Sequence, residues 1–201
     1  MRKILHVDLD AFFCSVEELL DPSLKEKVFA TGGTSDGRGV VTSCSYAARM
    51  HGVRSAMPMQ KAMRICPNLL TVRGHYEYYS RYSKRVMDIF KNITPLVETI
   101  SIDEAFLDVS DLNQEAKNIA LDLQMKIRRE TGLPSSIGVA SNKLVAKIAT
   151  NIGKSEHKKP TPPMAIKVIQ PGKEEPFLST LPIREMWGIG PKSEKLLHDL
   201  K

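Results

Sequence analysis

The segment "TISIDEAFLDVS", residues 99–110, decides the fold because it combines strand-forming residues with two adjacent acids. Its Thr, Ile, Phe, Leu and Val residues favour a half-buried, pleated surface, so we expect strands in "VETIS" and "AFLDVS". Asp103 and Glu104 lie between these two runs. An ionised carboxylate in an apolar setting is costly unless a partner compensates it, so the pair needs an explanation.

Hydrophobic periodicity in the rest of the chain predicts an α+β fold. Residues 70–169 read in order as strand, helix, strand, strand, helix, strand, helix, strand. With an amino-terminal strand in "KILHVDL", this order predicts a ferredoxin-like sheet that helices cover on one face. The next segment, "DAFFCSVEELL", has helical spacing, and Asp10 is placed to cap that helix. Residues 11–70 form a small α/β insertion, and residues 171–201 read as short helices that begin another unit.

Composition limits the class of protein and its location. Hydrophobic residues make up 42% and charged residues 26%, which is typical of a globular chain. The net charge of +6 suits a polyanionic partner without requiring one. Three cysteines in no CxxC pattern favour a reduced, cytoplasmic location. We expect no secretory signal, because charges come early, and no membrane partner, because no apolar run approaches the roughly 20 residues that span a bilayer.

Acids from two distant parts of the chain fall at strand ends of the predicted sheet. Asp8 ends the first strand, and Asp103 and Glu104 lie at a strand connection. If these strands are neighbours, three carboxylates converge, and their mutual repulsion is relieved by a hard cation such as Mg²⁺. Spacing alone favours a simpler alternative, an exposed hairpin tip, because strand pairing cannot be read reliably from sequence.

Five segments in chain order bear on this choice: "HVDLDAFFCSVEE", "GVVTSCSYAARMHGVRSAMP", "SIDEAFLDVS", "SIGVASNKLVAKIA" and "MWGIGPKSEKLL". Together they resemble the signature segments of the Y-family DNA polymerases, which are translesion enzymes. The resemblance covers essentially the whole chain. It implies a palm at residues 1–10 and 71–170, fingers at 11–70 and the beginning of a helical thumb at 171–201. The little-finger domain of the family is absent from these 201 residues.

The resemblance implies template-directed addition of deoxynucleotides to a primer 3′ end, with low processivity and damage tolerance. By motif, Asp8 and Asp103 would bridge two Mg²⁺ ions, Glu104 would complete the metal site, and Leu9 would contribute its backbone carbonyl. One ion lowers the pKa of the primer hydroxyl, and the other neutralises the triphosphate and its leaving group. The implied partners are primer-template DNA, deoxynucleoside triphosphates and, through a C-terminal part not included here, a sliding clamp.

The family pattern also assigns contacts to the incoming nucleotide. Phe13 would be the steric gate against a ribose 2′-hydroxyl, with Phe12 as a core residue. The backbone amides of Ala11, Phe12 and Phe13 would cradle phosphate at the helix start. Tyr46 and Arg49 share one face of a short helix and would bind the β- and γ-phosphates.

Lys154 is assigned as a further cation at the triphosphate. The chain continues after it with "SEHKKPTPP", where the family has a Pro-Asn-Gly-like turn. This departure leaves open whether Lys154 or a neighbour reaches the phosphates.

Contacts to DNA are assigned to two surfaces. Arg38, in a Gly-rich loop, would lie over the template base. The run "GIGPKSEKLL" resembles a helix-hairpin-helix in which Gly188 and Gly190 expose amides and Lys192 approaches a phosphate, without reading sequence. With the thumb incomplete, we expect the chain to bind DNA weakly.

Two other functions stay open at this point. A different nucleotidyl transferase on a similar palm, such as a nucleotide cyclase, would also use two metals but no primer-template. An inactive DNA-binding module would have no use for the three acids Asp8, Asp103 and Glu104.

Overall fold

Strands and helices alternate along the chain, which the computed structural model describes at residues 1–34 and 38–199. The strands are β1 (Ile4–Leu9), β2 (Phe29–Gly32), β3 (Val41–Cys44), β4 (Leu70–Val72), β5 (Val97–Thr99), β6 (Glu104–Asp108), β7 (Ser135–Ala140) and β8 (Ile166–Val168). The helices are α1 (Phe12–Leu20), α2 (Tyr46–Met50), α3 (Met59–Ile65), α4 (Tyr76–Lys91), α5 (Ala116–Thr131), α6 (Lys143–Glu156), α7 (Glu174–Ser179) and α8 (Pro191–His198).

The larger sheet has the order β5-β6-β1-β7-β8, with β1 antiparallel to both of its neighbours. Side chains alternate along β1 because successive residues of a strand point to opposite faces. Leu5, Val7 and Leu9 enter the main hydrophobic core, whereas Ile4 enters a second core on the opposite face. The sequence of β1 therefore separates an apolar face from the face that ends in Asp8.

Helices α4 and α5 cover the Leu5 face of this sheet, as the sequence predicted. Their buried residues recur at helical spacing, as Val86 and Phe90 do in α4 and Leu123 and Ile127 in α5. Helix α5 ends where expected, at Gly132, whose φ of 75° suits a residue without Cβ.

Helix α6 covers the opposite face. Helices therefore lie on both faces of the sheet, whereas the sequence predicted them on one face. Its Val145, Ala146 and Ala149 pack against Ile4 and Phe106. The approach is close at Gly138 of β7, where a Cβ would lie 2.0 Å from the carbonyl oxygen of Ala146. Helix α6 is therefore seated directly on the strands that lead to the acids.

The smaller sheet has the order β3-β2-β4 and forms a separate core with α2 and α3. Gly52 follows α2 with a φ of 85°, in agreement with the predicted end of that helix. Helix α1 packs Phe12 and Val16 into the core beneath the larger sheet.

The carboxyl-terminal segment contacts the larger sheet from the α6 side, through α7 and Trp187. Phe177 and Leu178 of α7 pack against the core that contains Ile4, and the Trp187 ring lies edge-on to Phe106, with centroids 6.2 Å apart. Within residues 1–34 and 38–199, no helix combines the length and the apolar character needed to cross a membrane.

Candidate active site

Asp8 and Asp103 come together at the end of β1, where they line one cavity of about 200 Å³. Strand pairing causes this meeting, because β1 is antiparallel to β6 and the backbone amide of Leu9 donates to the carbonyl of Asp103 at 3.0 Å. Leu9 also lines the cavity. Asp103 lies in the connection between the antiparallel strands β5 and β6, as in the hairpin alternative, but it is half-buried and lines the cavity, whereas that alternative expected an exposed tip.

Glu104 does not line this cavity, although it lies opposite Asp8 in the strand register. Its carboxylate accepts a hydrogen bond from Lys147 Nζ at 2.5 Å and lies 3.1 Å from Nε2 of the buried His6. The hydrogen bond from His6, together with the charge of Lys147, lowers the pKa of Glu104 to about 2. The charge of Glu104 is thus compensated by protein groups.

Two of the three predicted acids, Asp8 and Asp103, therefore line the cavity, and Glu104 lies beside them, opposite Asp8 in the strand register. Among the residues that the structure describes, no group of three or more His, Cys, Asp or Glu side chains is arranged to hold a metal ion. Helix α6 brings Lys147 against Glu104, so this third carboxylate is already paired with a protein cation.

Lys154, in the last turn of α6, compensates the charge of Asp8. Its Nζ lies 2.6 Å from Oδ1 of Asp8 and 3.4 Å from Oδ1 of Asp10. Burial disfavours the ammonium ion, but the two carboxylates outweigh burial and raise the pKa of Lys154 above its ordinary value. Lys154 lines the cavity, and none of residues 155–165 does.

Asp103 has weaker compensation than the other acids. Burial raises the pKa of Asp103, and the charges of Asp8 and Glu104 raise it further, whereas the Ser101 hydroxyl, 2.6 Å away, and the charge of Lys154 oppose the shift. A carboxylate in this state gains from a nearby cation. The donor set of two carboxylates and the Leu9 main chain around one cavity fits a hard divalent cation, once Lys154 moves off Asp8.

Phe13 forms the aromatic wall of the cavity. Its ring stacks on Tyr79, with centroids 4.2 Å apart and an interplanar angle of 15°. Phe12 is buried in the core, 3% exposed. Both phenylalanines line the cavity, but Phe12 is buried whereas Phe13 is half-buried.

The turn into α1 corrects the prediction that Asp10 caps this helix. The cap residue is Ala11, in a left-handed conformation with φ 45° and ψ 47°, and no side chain caps the helix. Strand-like pairing continues through Asp10, whose amide donates to the carbonyl of Pro134 at 2.9 Å, so the helix starts one residue later. The first amides of α1, at Phe12 and Phe13, have no acceptor within the helix.

Helix α2 brings Tyr46 and Arg49 to the site. The Arg49 guanidinium lies over the Tyr46 ring, 4.6 Å from its centroid, and Arg49 lines the cavity. Tyr46 lies beside the cavity, with its hydroxyl 3.5 Å from Oδ1 of Asp10. Burial and the charge of Asp10 raise the pKa of Tyr46, so its hydroxyl keeps its proton at neutral pH.

The residues predicted to contact DNA do not line the cavity. Arg38 is exposed in the loop before β3. Gly188 has a left-handed φ of 92°, Gly190 caps α8, and Lys192 is exposed in the first turn of that helix.

The sequence analysis did not assign His6 or Lys147 to the site. It placed Asp10 at the start of α1 as a helix cap and not beside the cavity. Lys147 and Lys154 are seven residues apart, which places them on one face of a helix, and this spacing was available in the sequence. The face of the sheet on which that helix packs was not available, because it depends on tertiary structure.

Comparisons with known proteins agree with this geometry. The model of the impB/mucB/samB family matches residues 7–151, and the model of the IMS family HHH motif matches residues 171–201. DNA polymerase IV of Francisella tularensis subsp. novicida (strain U112) is 45% identical over 204 residues, which cover 100% of this chain and 56% of that protein. DNA polymerase IV of Listeria monocytogenes serotype 4a (strain HCC23) is 41% identical over 202 residues, 99% of this chain and 54% of that protein. The chain thus spans about half the length of these curated relatives.

Solved structures share the fold. DinB from Sulfolobus solfataricus superposes with a TM-score of 0.88 at 33% identity, over 98% of this chain and 57% of that one. The insertion ternary complex of Dbh DNA polymerase gives a TM-score of 0.88 at 32% identity, over 98% of this chain and 57% of that one.

Proposed function

The chain belongs to the impB/mucB/samB family of Y-family DNA polymerases, and from this premise we propose that it adds deoxynucleotides to a primer 3′ end under the direction of a template. One observation carries the proposal. Two carboxylates able to hold a metal, Asp8 and Asp103, share a cavity with two cations suited to a triphosphate, Arg49 and Lys154. The same proposal includes low processivity and tolerance of damaged templates, which are family properties.

We infer that Asp8, Asp103 and the Leu9 carbonyl hold Mg²⁺, with Glu104 joining when it leaves Lys147. Two bound Mg²⁺ ions would supply the Lewis acid that activates the primer hydroxyl and neutralises the leaving pyrophosphate. The fold brings the carboxylates together at the end of β1. It also pairs two of them, Asp8 and Glu104, with lysine side chains that can move away when a metal ion binds. Lys154 is such a cation, because the same ammonium that compensates Asp8 can bind a phosphate oxygen.

The remaining side chains of the site would bind and select the nucleotide. Arg49 and Tyr46 contact the β- and γ-phosphates, together with the backbone amides at the turn into α1, at Ala11, Phe12 and Phe13. The Phe13 ring, held by its stack on Tyr79, lies beneath the sugar and excludes a 2′-hydroxyl.

The larger sheet, at residues 1–10 and 71–170, would be the palm, residues 11–70 the fingers and residues 171–201 the beginning of the thumb. Primer-template DNA would meet Arg38 from the fingers and the Gly188–Lys192 turn from the thumb, through contacts that do not read sequence. The free, buried cysteines Cys14, Cys44 and Cys66 are in keeping with a cytoplasmic location.

Primer extension tests the proposal. The chain is incubated with Mg²⁺, one deoxynucleoside triphosphate and a primer-template in enzyme excess, so that weak DNA binding does not hide a single insertion. The variant Asp103→Asn should lower the insertion rate at least about 100-fold. The matched control is Asp111→Asn, which changes an exposed acid outside the cavity and should leave the rate unchanged.

Two results would contradict the proposal. Equal rates for Asp103→Asn and the parent chain would remove Asp103 from the metal site. Product formed from nucleotide alone, without primer-template, would indicate a cyclase-type reaction instead.

A further inference from the structure

We propose that Asp10 is a positioning residue for the triphosphate: it holds Tyr46 of α2 and Lys154 of α6 in fixed places beside the cavity. The inference rests on the proposed function, since it takes the triphosphate as the ligand of these two side chains. It concerns a residue that stands outside the predicted metal ligands and outside the cavity wall.

The Asp10 carboxylate is completely buried and is surrounded by donors. Its Oδ1 accepts from Ser136 Oγ at 2.9 Å and lies 3.4 Å from Lys154 Nζ and 3.5 Å from the Tyr46 hydroxyl. Its Oδ2 accepts from the amide of Met164 at 3.0 Å and lies 3.1 Å from Ser136 Oγ. These partners come from β7, α6, α2 and the segment before β8, so one carboxylate joins four parts of the chain.

Two of the partners, Ser136 and Met164, hold the Asp10 carboxylate in place but do not themselves bind the nucleotide. Ser136 Oγ bridges Asp10 to the amide of Ala165, which donates to it at 3.0 Å. Met164 has a left-handed φ of 44°, unusual for a residue with a Cβ, and its carbonyl accepts from Gln124 Nε2 at 3.1 Å. This side of Asp10 is therefore a rigid anchor in the palm.

The other two partners are the side chains that need positioning. Tyr46 and Lys154 belong to elements of different cores, and Asp10 is where they meet. Lys154 is also shared between Asp8 and Asp10, at 2.6 Å and 3.4 Å. A cation on Asp8 would compete for that carboxylate, and Asp10 would then remain to keep the ammonium beside the cavity. An anchored ammonium and hydroxyl bind a phosphate with less loss of freedom than mobile ones.

The variant Asp10→Asn tests the proposal, with Ser136→Ala as the matched control. The amide keeps the size of the side chain but removes the charge that faces Lys154 and Tyr46. Ser136→Ala removes a hydrogen bond to the same carboxylate and leaves its charge and its two mobile partners in place. In single-nucleotide insertion, Asp10→Asn should raise the KM for the deoxynucleoside triphosphate about 10-fold and change kcat less than about 3-fold. Ser136→Ala should leave KM within about 2-fold while lowering the urea midpoint of unfolding.

A binding measurement separates this inference from the proposed function. Inorganic tripolyphosphate is titrated calorimetrically into metal-free protein, where no polymerisation occurs. Affinity should fall at least about 5-fold in Asp10→Asn and stay within about 2-fold in Ser136→Ala. Parent protein that binds tripolyphosphate but extends no primer would refute the polymerase proposal and leave the Asp10 comparison valid. Parent protein that binds no tripolyphosphate would overturn the Asp10 inference directly.

A purely structural role for Asp10 has its own signature. Both variants would then lose stability while KM and tripolyphosphate affinity stayed at parental values, and the proposal would be overturned. Should Asp10→Asn not fold, the exchange Asp10→Ser with Ser136→Asp retains a buried hydroxyl–carboxylate pair and moves the charge away from Tyr46 and Lys154. The same loss of tripolyphosphate affinity is expected from the exchange, and unchanged affinity would count against the proposal.

Discussion

Single charged residues explain how adjacent acids are tolerated inside this fold. Glu104 is compensated by Lys147 and His6, and Asp8 is compensated by Lys154. Asp103 accepts a hydrogen bond from the hydroxyl of Ser101 and feels the charges of Asp8, Glu104 and Lys154, but it forms no ion pair among the residues that the structure describes. The acids are thus unequal, and Asp103 is the one whose charge gains most from a bound cation.

Lys147 should contribute more to the free energy of unfolding than Lys143, another lysine of α6. Its Nζ bonds to the half-buried Glu104 and lies 5.3 Å from the centroid of the Trp187 ring, so Lys147→Met should lower the free energy of unfolding by about 1–3 kcal/mol. Lys143 pairs with Glu98 at the surface, and Lys143→Met should cost less than about 1 kcal/mol. Urea unfolding measures the free energy of unfolding of both variants. Equal decreases would mean that the Lys147–Glu104 pair stabilises the protein no more than a surface ion pair does.

Phe13 should control the choice of sugar. The change Phe13→Val removes the ring that faces the cavity, so insertion of ribonucleotides should rise at least about 10-fold relative to deoxynucleotides, whose use should largely survive. Insertion of matched ribo- and deoxyribonucleotides measures the ratio. Phe12→Leu is the control, because it changes a buried core residue and should lower stability without changing the ratio. An unchanged ratio in Phe13→Val would remove Phe13 from sugar selection.

At the scale of elements, the sequence predicted the helices and strands better than their contacts. The alternation of β1, the apolar spacing of α4 and α5 and the glycine after α5 are local patterns, and the structure agrees with them. The position of α6 is not a local property. It depends on Gly138 in β7 and on the apolar residues around Ile4, which belong to different segments. For the same reason the sequence placed three acids together but did not foresee that α6 would pair with two of them, Glu104 through Lys147 and Asp8 through Lys154.

The seating of α6 gives a prediction at this scale. A Cβ at Gly138 would lie 2.0 Å from the Ala146 carbonyl oxygen and 2.6 Å from the Thr150 amide, so Gly138→Ala should push α6 off the sheet. The expected loss in free energy of unfolding is about 3 kcal/mol or more. Because α6 carries Lys147 and Lys154, primer extension should fall with it.

Gly153, on α6 itself, is the matched control for this change. A Cβ there would meet the side chain of Ala165 at 3.2 Å, a contact that small shifts relieve, and alanine favours the helix. Gly153→Ala should therefore change the free energy of unfolding by no more than about 1 kcal/mol. If urea unfolding shows equal effects for the two alanine variants, the backbone contact at Gly138 does not limit the position of α6.

Each of the two sheets forms a hydrophobic core with its helices, and the two cores differ in size. The core of the larger sheet joins strands from both ends of the chain through α4 and α5, whereas the core of the smaller sheet joins α2 and α3 to three short strands. The site lies between them, with the acids on the larger sheet and Arg49 next to the smaller one. Because the smaller core has fewer buried side chains, it should open first under denaturing conditions.

Cysteine alkylation tests this order of opening. Cys44 and Cys66 lie in the smaller core, and Cys14, on α1, packs against Phe29. Burial raises the pKa of Cys14 to about 12 and also raises that of Cys44, so at pH 8 these groups are thiols, and the thiolate is the species that reacts. In native buffer all three should resist iodoacetamide. With increasing urea, mass spectrometry should find Cys44 and Cys66 modified before circular dichroism reports the loss of α4 and α5. Simultaneous modification and loss of helix would show that the two cores unfold as a single cooperative unit. Separating Arg49 from the acids would then require unfolding of the whole molecule, just as separating the acids from each other does.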